Sequence, residues 1–243
     1  MQLNKPLLTP DNRVVMISGA NRGIGLAIAR KLHSDGYRLS LGVRNTDALN
    51  AAIADFDDKN ILKCVFDAEK PEDAARWVNE TAAHFGAIDA LVNNAGIVAL
   101  HELEDYDDAR LDRVLEVNVK APYRLTTAVL PHLKRCGIGR IVNINSRSGL
   151  RYIPGSADYN ISKFANIALT HAPRVEAWDH GVRSTAICPG PTATDMASHL
   201  DAEEIKTITH PETIAAVVSL VLMLPNTASV PIIPICCDLE AGV

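Results

Sequence analysis

Seven short apolar runs recur along the chain, at 14–18, 38–43, 61–66, 90–92, 140–145, 183–187 and 230–235. Each is too short and too continuous for an amphipathic helix and reads as a strand. Continuous rather than alternating apolarity marks strands buried on both faces, as in a parallel sheet. Stretches with helical character separate them, at 24–34, 46–56, 71–85, 107–136, 158–178 and 211–224. Parallel neighbours need crossovers, and these are right-handed and usually helical. The alternation predicts an α/β fold: a doubly wound parallel sheet of about seven strands flanked by helices on both faces. No linker, repeat or low-complexity segment interrupts the 243 residues, so one domain over 1–243 is expected. Pro173 falls inside the 158–178 stretch, where a missing donor and a steric clash predict a kink or break.

Charge and composition narrow the partners. A formal net charge of -5 argues against a nucleic-acid or anionic-membrane binder. Residues 1–13 lack the apolar core of a signal peptide, and the run at 214–224 is too short to span a bilayer. Five cysteines, an odd number without a C-x-x-C, point to a reducing compartment rather than a disulfide framework. A cytoplasmic protein without membrane attachment is expected. Cys236 and Cys237 read as a strand residue and its flank. The eight histidines show no ligand spacing, so no metal site is expected.

The first strand runs into Ser18-Gly19-Ala20-Asn21-Arg22-Gly23-Ile24-Gly25. Glycines permit a tight turn and close approach of backbone to a ligand. The helix that follows offers unpaired N–H groups and a positive dipole end to a pyrophosphate. The spacing G-x-x-x-G-x-G differs from the commoner dinucleotide fingerprint, but its place between strand and helix points to a nucleotide. An acidic residue at the end of the second strand would bind a ribose 2′-OH and repel a 2′-phosphate. This chain has Val43-Arg44-Asn45 there, and Arg22 adds a second positive charge. The charge logic favours NADP over NAD.

Tyr159 and Lys163 lie four apart, on one face of a helix. An ammonium beside a phenol favours the phenolate and makes the pair a candidate proton donor and acceptor. Asn93-Asn94-Ala95-Gly96 follows the fourth strand, Asn118 falls within a helix, Ser146 follows the fifth strand, and Pro189-Gly190 follows the sixth. With these motifs in this order, the chain resembles a short-chain dehydrogenase/reductase of the compact Rossmann type, over about residues 13–235.

The resemblance implies a role for each matching residue. Tyr159 would be the general acid in reduction and the general base in oxidation. Lys163 would tune Tyr159 and bind the nicotinamide ribose. Ser146 would hold the substrate oxygen. Asn118 would kink its helix and hold a water that relays protons to Lys163. Gly19, Asn21, Arg22, Gly23, Ile24 and Gly25 would surround the phosphates. Asp67 would bind the adenine amino group and Asn94 the adenosine side. Pro189, Gly190 and Thr194 would meet the nicotinamide. The expected activity is hydride transfer between NADP(H) and a carbonyl or alcohol substrate. The competing readings are a nucleotide-binding sensor or scaffold without turnover, and an NAD-linked alcohol dehydrogenase.

Two departures from the family pattern stand out. Ser18 replaces the usual Thr of the glycine motif, with a hydroxyl retained. The usual Asp-Gly-Gly after the last strand is missing, and Pro234-Ile235-Cys236-Cys237-Asp238-Leu239 stands there. A homodimer built on the two long helices is therefore expected ahead of a homotetramer. The lid region, about 191–209, is short and suggests an accessible pocket. Arg147, Arg151 and Tyr152 follow Ser146 in a loop that often lines the substrate pocket. One of these arginines is a candidate contact for an anionic group, against the plainer reading of a solvated side chain.

Overall fold

The computed structural model describes residues 7–197 and 201–238. Seven strands form one sheet: β1 (Val14–Ser18), β2 (Arg38–Val43), β3 (Ile61–Val65), β4 (Ala90–Asn93), β5 (Arg140–Ile144), β6 (Arg183–Pro189) and β7 (Ile232–Ile235). Their order is β3-β2-β1-β4-β5-β6-β7, and every neighbouring pair is parallel. The order reverses between β1 and β4. In a doubly wound sheet, ligands bind outside the carboxyl ends of the strands at such a switch.

The helices are α1 (Gly23–Ser34), α2 (Thr46–Ala52), α3 (Pro71–Phe85), α4 (Asp108–Leu115), α5 (Ala121–Cys136), α6 (Ala157–Glu176), α7 (Ala202–Thr207) and α8 (Pro211–Met223). Helices α1, α2 and α8 pack their aliphatic side chains on one face, with Val15, Ile17, Leu39 and Leu41 of the sheet. Helices α3 and α5 cover the other face, around Trp77, Leu125, Val129 and Leu133, and α6 lies beside α5. Gly42 is required on that second face, because a Cβ there would lie 2.6 Å from the Trp77 ring.

Several expectations are corrected. Pro173 neither breaks nor ends its helix: α6 continues to Glu176, and Ala177 N–H donates to the Pro173 carbonyl at 3.0 Å. Lying one turn from the C-terminus, the proline removes a single donor without ending the helix. The stretch read as one helix over 107–136 is α4, a π turn (Glu116–Lys120) and α5. The second predicted helix stops at Ala52 rather than 56. Cys236 and Cys237 lie beyond β7 and are exposed. The lid region contains a 3-10 turn (Asp195–Ala197) and α7, a short helix with a complete capping box between Asp201 and Glu204. Among the described residues no helix is long and apolar enough to cross a membrane.

Candidate active site

The carboxyl ends of the strands open into a cavity of about 640 Å³. At its floor, β1 turns into α1 through Gly19 and Gly23, at φ +70 and +52. Such values favour glycine. Gly25 serves a different purpose, since a Cβ there would sit 2.2 Å from the Gly19 carbonyl oxygen. The start of α1 thus lies directly on the turn. Asn94 braces that turn: its Nδ2 donates to Ser18 O at 2.9 Å and Gly19 O at 3.1 Å. Ser18 Oγ in turn accepts from Asn94 N–H and Ala95 N–H.

Arg22, at the N-cap of α1, contributes no capping side chain, and the first turn holds no acid. Gly23 and Ile24, which open α1, line the cavity, and the helix start has no side-chain cap. This local geometry fits a pyrophosphate. Arg44 and Asn45 at the end of β2, and Asp67 after β3, line the adjoining stretch. Asn45 is also the N-cap of α2. Arg22 lines the groove too, but its guanidinium pairs with Asp195 of the lid at 2.7 Å, both side chains being well exposed. The same lid meets the glycine turn at Thr194, 3.3 Å from where a Gly23 Cβ would be.

The other end of the cavity is built around α6. Tyr159 and Lys163 both line it, one turn apart, with Lys163 Nζ 5.3 Å from the Tyr159 ring centroid. Lys163 is buried, and its ammonium donates to the Ile144 carbonyl at 3.1 Å. Ser146, just beyond β5, lines the same wall, and its Oγ accepts from Ser148 N–H at 3.1 Å. Pro189, Gly190 and Thr194 line the side under the lid. All of the predicted site residues except Gly25 and Asn118 line this one cavity. Those two lie just behind its surface.

Asn118 sits in the π turn, and the sequence explains the turn. In a regular helix its carbonyl would accept from residue 122, but Pro122 has no N–H. The register widens, and Ala121 N–H donates to Glu116 O instead. The Asn118 carbonyl takes Asn166 Nδ2 at 3.1 Å. Its side chain fastens the loop after β4, accepting from Ile97 N–H and donating to Ile97 O, both at 2.9 Å. A Cβ on Gly96 would lie 3.3 Å from Asn118 Oδ1 and 3.9 Å from Lys163 Nζ, so the two side chains converge there.

Three supporting residues escape a motif-based reading. Ser162 Oγ donates to Tyr159 O at 2.7 Å and accepts from Asn118 Nδ2 at 3.0 Å. Asn145 Nδ2 holds the Lys163 carbonyl at 3.1 Å. Asn166 carries the bond to Asn118. Their signal was available in part, because 159, 162, 163 and 166 share one helix face. Of the three residues after Ser146 singled out above, Arg147 lines the cavity, whereas Arg151 and Tyr152 are not among its lining residues. Beneath the site, burial pushes the Cys188 thiol up to about 11.

The family model described as short chain dehydrogenase matches residues 13–205. This chain belongs to the short-chain dehydrogenase family. Agropine synthesis reductase of Rhizobium rhizogenes is 40% identical to it over 229 residues, which cover 94% of this chain and 53% of the relative. The chain thus spans about half the length of that relative. Among solved structures, an alcohol dehydrogenase from the archaeon Thermococcus sibiricus complexed with 5-hydroxy-NADP superposes with a TM-score of 0.86 at 30% identity, covering 95% of this chain and 99% of that one. Levodione reductase superposes with a TM-score of 0.86 at 29% identity, covering 95% and 97%. The seven-stranded parallel sheet and its flanking helices are those of a short-chain dehydrogenase.

Proposed function

We propose that this short-chain dehydrogenase transfers a hydride between NADP(H) and a small carbonyl or alcohol substrate, with Tyr159 as the general acid in reduction and the general base in oxidation. The observation that carries the reading is the single cavity shared by the glycine turn, Ser146, Tyr159 and Lys163. A bound nicotinamide supplies or accepts the hydride. The chain's own residues do the rest. The N–H groups of α1 hold the pyrophosphate, and Pro189, Gly190 and Thr194 flank the nicotinamide end. Ser146 Oγ holds the substrate oxygen by hydrogen bond, and Tyr159 Oη moves the proton. Lys163 presents its charge behind the phenol, and the Asn118 carbonyl holds a relay water. Asp67 takes the adenine amino group. Asn94, whose amide donors are engaged with the turn, meets the adenosine side with its remaining surface.

NADP rather than NAD is favoured by Arg44 at the end of β2, where no acid stands to repel a 2′-phosphate. Arg22 adds charge at the rim. The chain acts as one dinucleotide-binding unit. It pairs as a homodimer through α5 and α6, whose Tyr123, Ile161 and Phe164 are exposed apolar side chains. Light scattering of the eluted protein gives the mass that checks this.

The direct test is NADPH oxidation against a panel of ketones and aldehydes. Tyr159→Phe should lose about 10²–10⁴-fold in kcat, and full activity in that variant would sink the mechanism. NADPH binding without turnover over a wide panel would favour a nucleotide sensor. Arg44→Ala should raise the KM for NADPH by roughly tenfold or more, the scale of one charge-assisted contact, and leave NADH almost unchanged. Equal losses would remove the 2′-phosphate role.

A further inference from the structure

We propose that Arg147 anchors a carboxylate on the substrate, so that the enzyme acts on oxo acids or hydroxy acids with an apolar body. The inference rests on the hydride-transfer reading of the cavity given above. Arg147 follows Ser146 directly, in the 3-10 turn (Arg147–Gly149) after β5, and lines the cavity at its substrate end. Its side chain is only 13% exposed. It lies against Gly190, where a Cβ would come within 3.2 Å of Nε, 3.3 Å of Cδ and 3.4 Å of Cζ. Any side chain at 190 would press on the guanidinium, so glycine there makes room for arginine at the nicotinamide end.

The guanidinium already holds a carboxylate. Arg147 Nη1 is 3.0 Å from Asp238 Oδ1, on the segment beyond β7. The two partners differ in burial, for Asp238 is 60% exposed. An acid so exposed gains little from such a pair, so a substrate carboxylate can compete with Asp238 for the guanidinium. A guanidinium matches a planar carboxylate through a fork of N–H donors. Val98, Leu100, Ile153 and Met196 add apolar surface to the cavity wall. A carbonyl compound with an acid at one end and an apolar chain suits both parts.

The test compares 3-oxobutanoate, 4-oxopentanoate and 5-oxohexanoate with their methyl esters, using the wild-type protein and NADPH. For at least one chain length, kcat/KM for the acid should exceed that for the ester by roughly tenfold or more. Equal or better use of every ester would overturn the proposal and leave hydride transfer standing. Arg147→Met should erase the preference by raising the KM of the acid with little change in kcat, and Arg147→Lys should restore part of it. Asp238→Asn should lower the KM of the acid. A rise would show that Asp238 orients Arg147 and does not stand in for substrate, which would overturn the displacement. Calorimetric titration of the acids into the protein with NADP⁺ gives a readout apart from turnover. Acid binding lost in Arg147→Met without reduction of any compound would keep the anchor and refute the hydride-transfer reading. Absence of acid binding in the wild type would refute the anchor.

Discussion

Helices α1 and α8 meet the sheet through Ile28, Leu32, Ile214, Val218 and Leu222, all fully buried. Across the sheet, α6 meets it through hydrogen bonds. Asn93 Nδ2 donates to Thr126 Oγ1 at 3.3 Å and to Asn143 Oδ1 at 2.8 Å. Asn143 Nδ2 donates to Thr170 Oγ1 at 2.8 Å, and Thr170 Oγ1 to the Asn166 carbonyl at 3.0 Å. From Asn166 the chain runs to Asn118, then Ser162, then the Tyr159 carbonyl. Hydrophobic contact is non-directional and tolerates small shifts. A buried hydrogen-bond network does not, because each orphaned member carries a desolvation penalty. The aliphatic contacts therefore supply stability, under α1 and α8 as under α3 and α5, and the polar α6 side of the second face sets where α6 sits and hence where Tyr159 and Lys163 point.

The largest effect should come from the aliphatic side. Leu32→Ala removes a fully buried side chain between α1 and the sheet and should cost about 2–5 kcal/mol of stability. The kcat of the protein that remains folded should stay within about twofold, since the site is held from the other face and Leu32 lies outside it. Denaturant titration and activity at low temperature give the two numbers. A large drop in kcat at unchanged folded fraction would break the division of labour.

Asn143→Leu sharpens it from the other side. The substitution keeps the approximate shape, strips two hydrogen bonds from the network, and leaves Asn93 and Thr170 without a shared partner. A loss of about 1–3 kcal/mol is expected. Unlike Leu32→Ala, it should also lower kcat, because α6 loses the bond from Thr170 to β5 and through it the connection to Asn93 of β4. Adding Thr170→Val should recover part of the stability, since paired removal of both partners is cheaper than leaving one orphaned.

Much of this architecture was legible in the sequence, for a physical reason. Strand positions follow from short continuous apolar runs, and the glycine turn from residues that only a special backbone demands. Ser146, Asn118, Tyr159 and Lys163 stand out by spacing. The polar network does not, because its members are far apart in the chain: Asn93 and Asn143 are strand residues with no periodic mark, and they meet only through the β4–β5 register. The π turn had no mark in spacing, and only the resemblance implied a kink at Asn118, although Pro122 explains it once its partner at Asn118 is known. Pro173 misled in the opposite sense, because a proline's cost depends on its distance from the helix end. Arg22 illustrates a third limit. A charge in the right place says nothing of a rival partner 173 residues away.

A smaller effect concerns Cys188, an apolar insertion on the polar side. Burial raises its thiol to about 11, with the Lys163 charge acting in the opposite sense. Because the folded value lies above the ordinary one near 9, the stability it contributes is complete below about pH 9 and is lost as pH rises towards 11. Cys188→Ala should flatten part of the decline in stability between those values, as followed by denaturant midpoints. At pH 8 the exposed Cys236 and Cys237 should react with a thiol reagent while Cys188 stays protected.

The finest test is Ser162→Ala. The hydroxyl is fully buried and bridges Asn118 to the Tyr159 carbonyl. Alanine is a good helix former, so part of the lost hydrogen bonding is offset by propensity, and stability should fall by about 1 kcal/mol or less. The consequence for catalysis should outweigh that. With Ser162 gone, Asn118 Nδ2 keeps only Ile97 O, and the first turn of α6 is no longer tied to the π turn. A drop of about three- to tenfold in kcat is expected, the scale of one neutral hydrogen bond acting through position. KM for cofactor should hold, because the glycine turn is braced by Asn94 and not by α6. Should kcat stay level while stability falls, the polar face would be another source of stability like the aliphatic one, and the contrast between the two faces would fail at the residue closest to Tyr159.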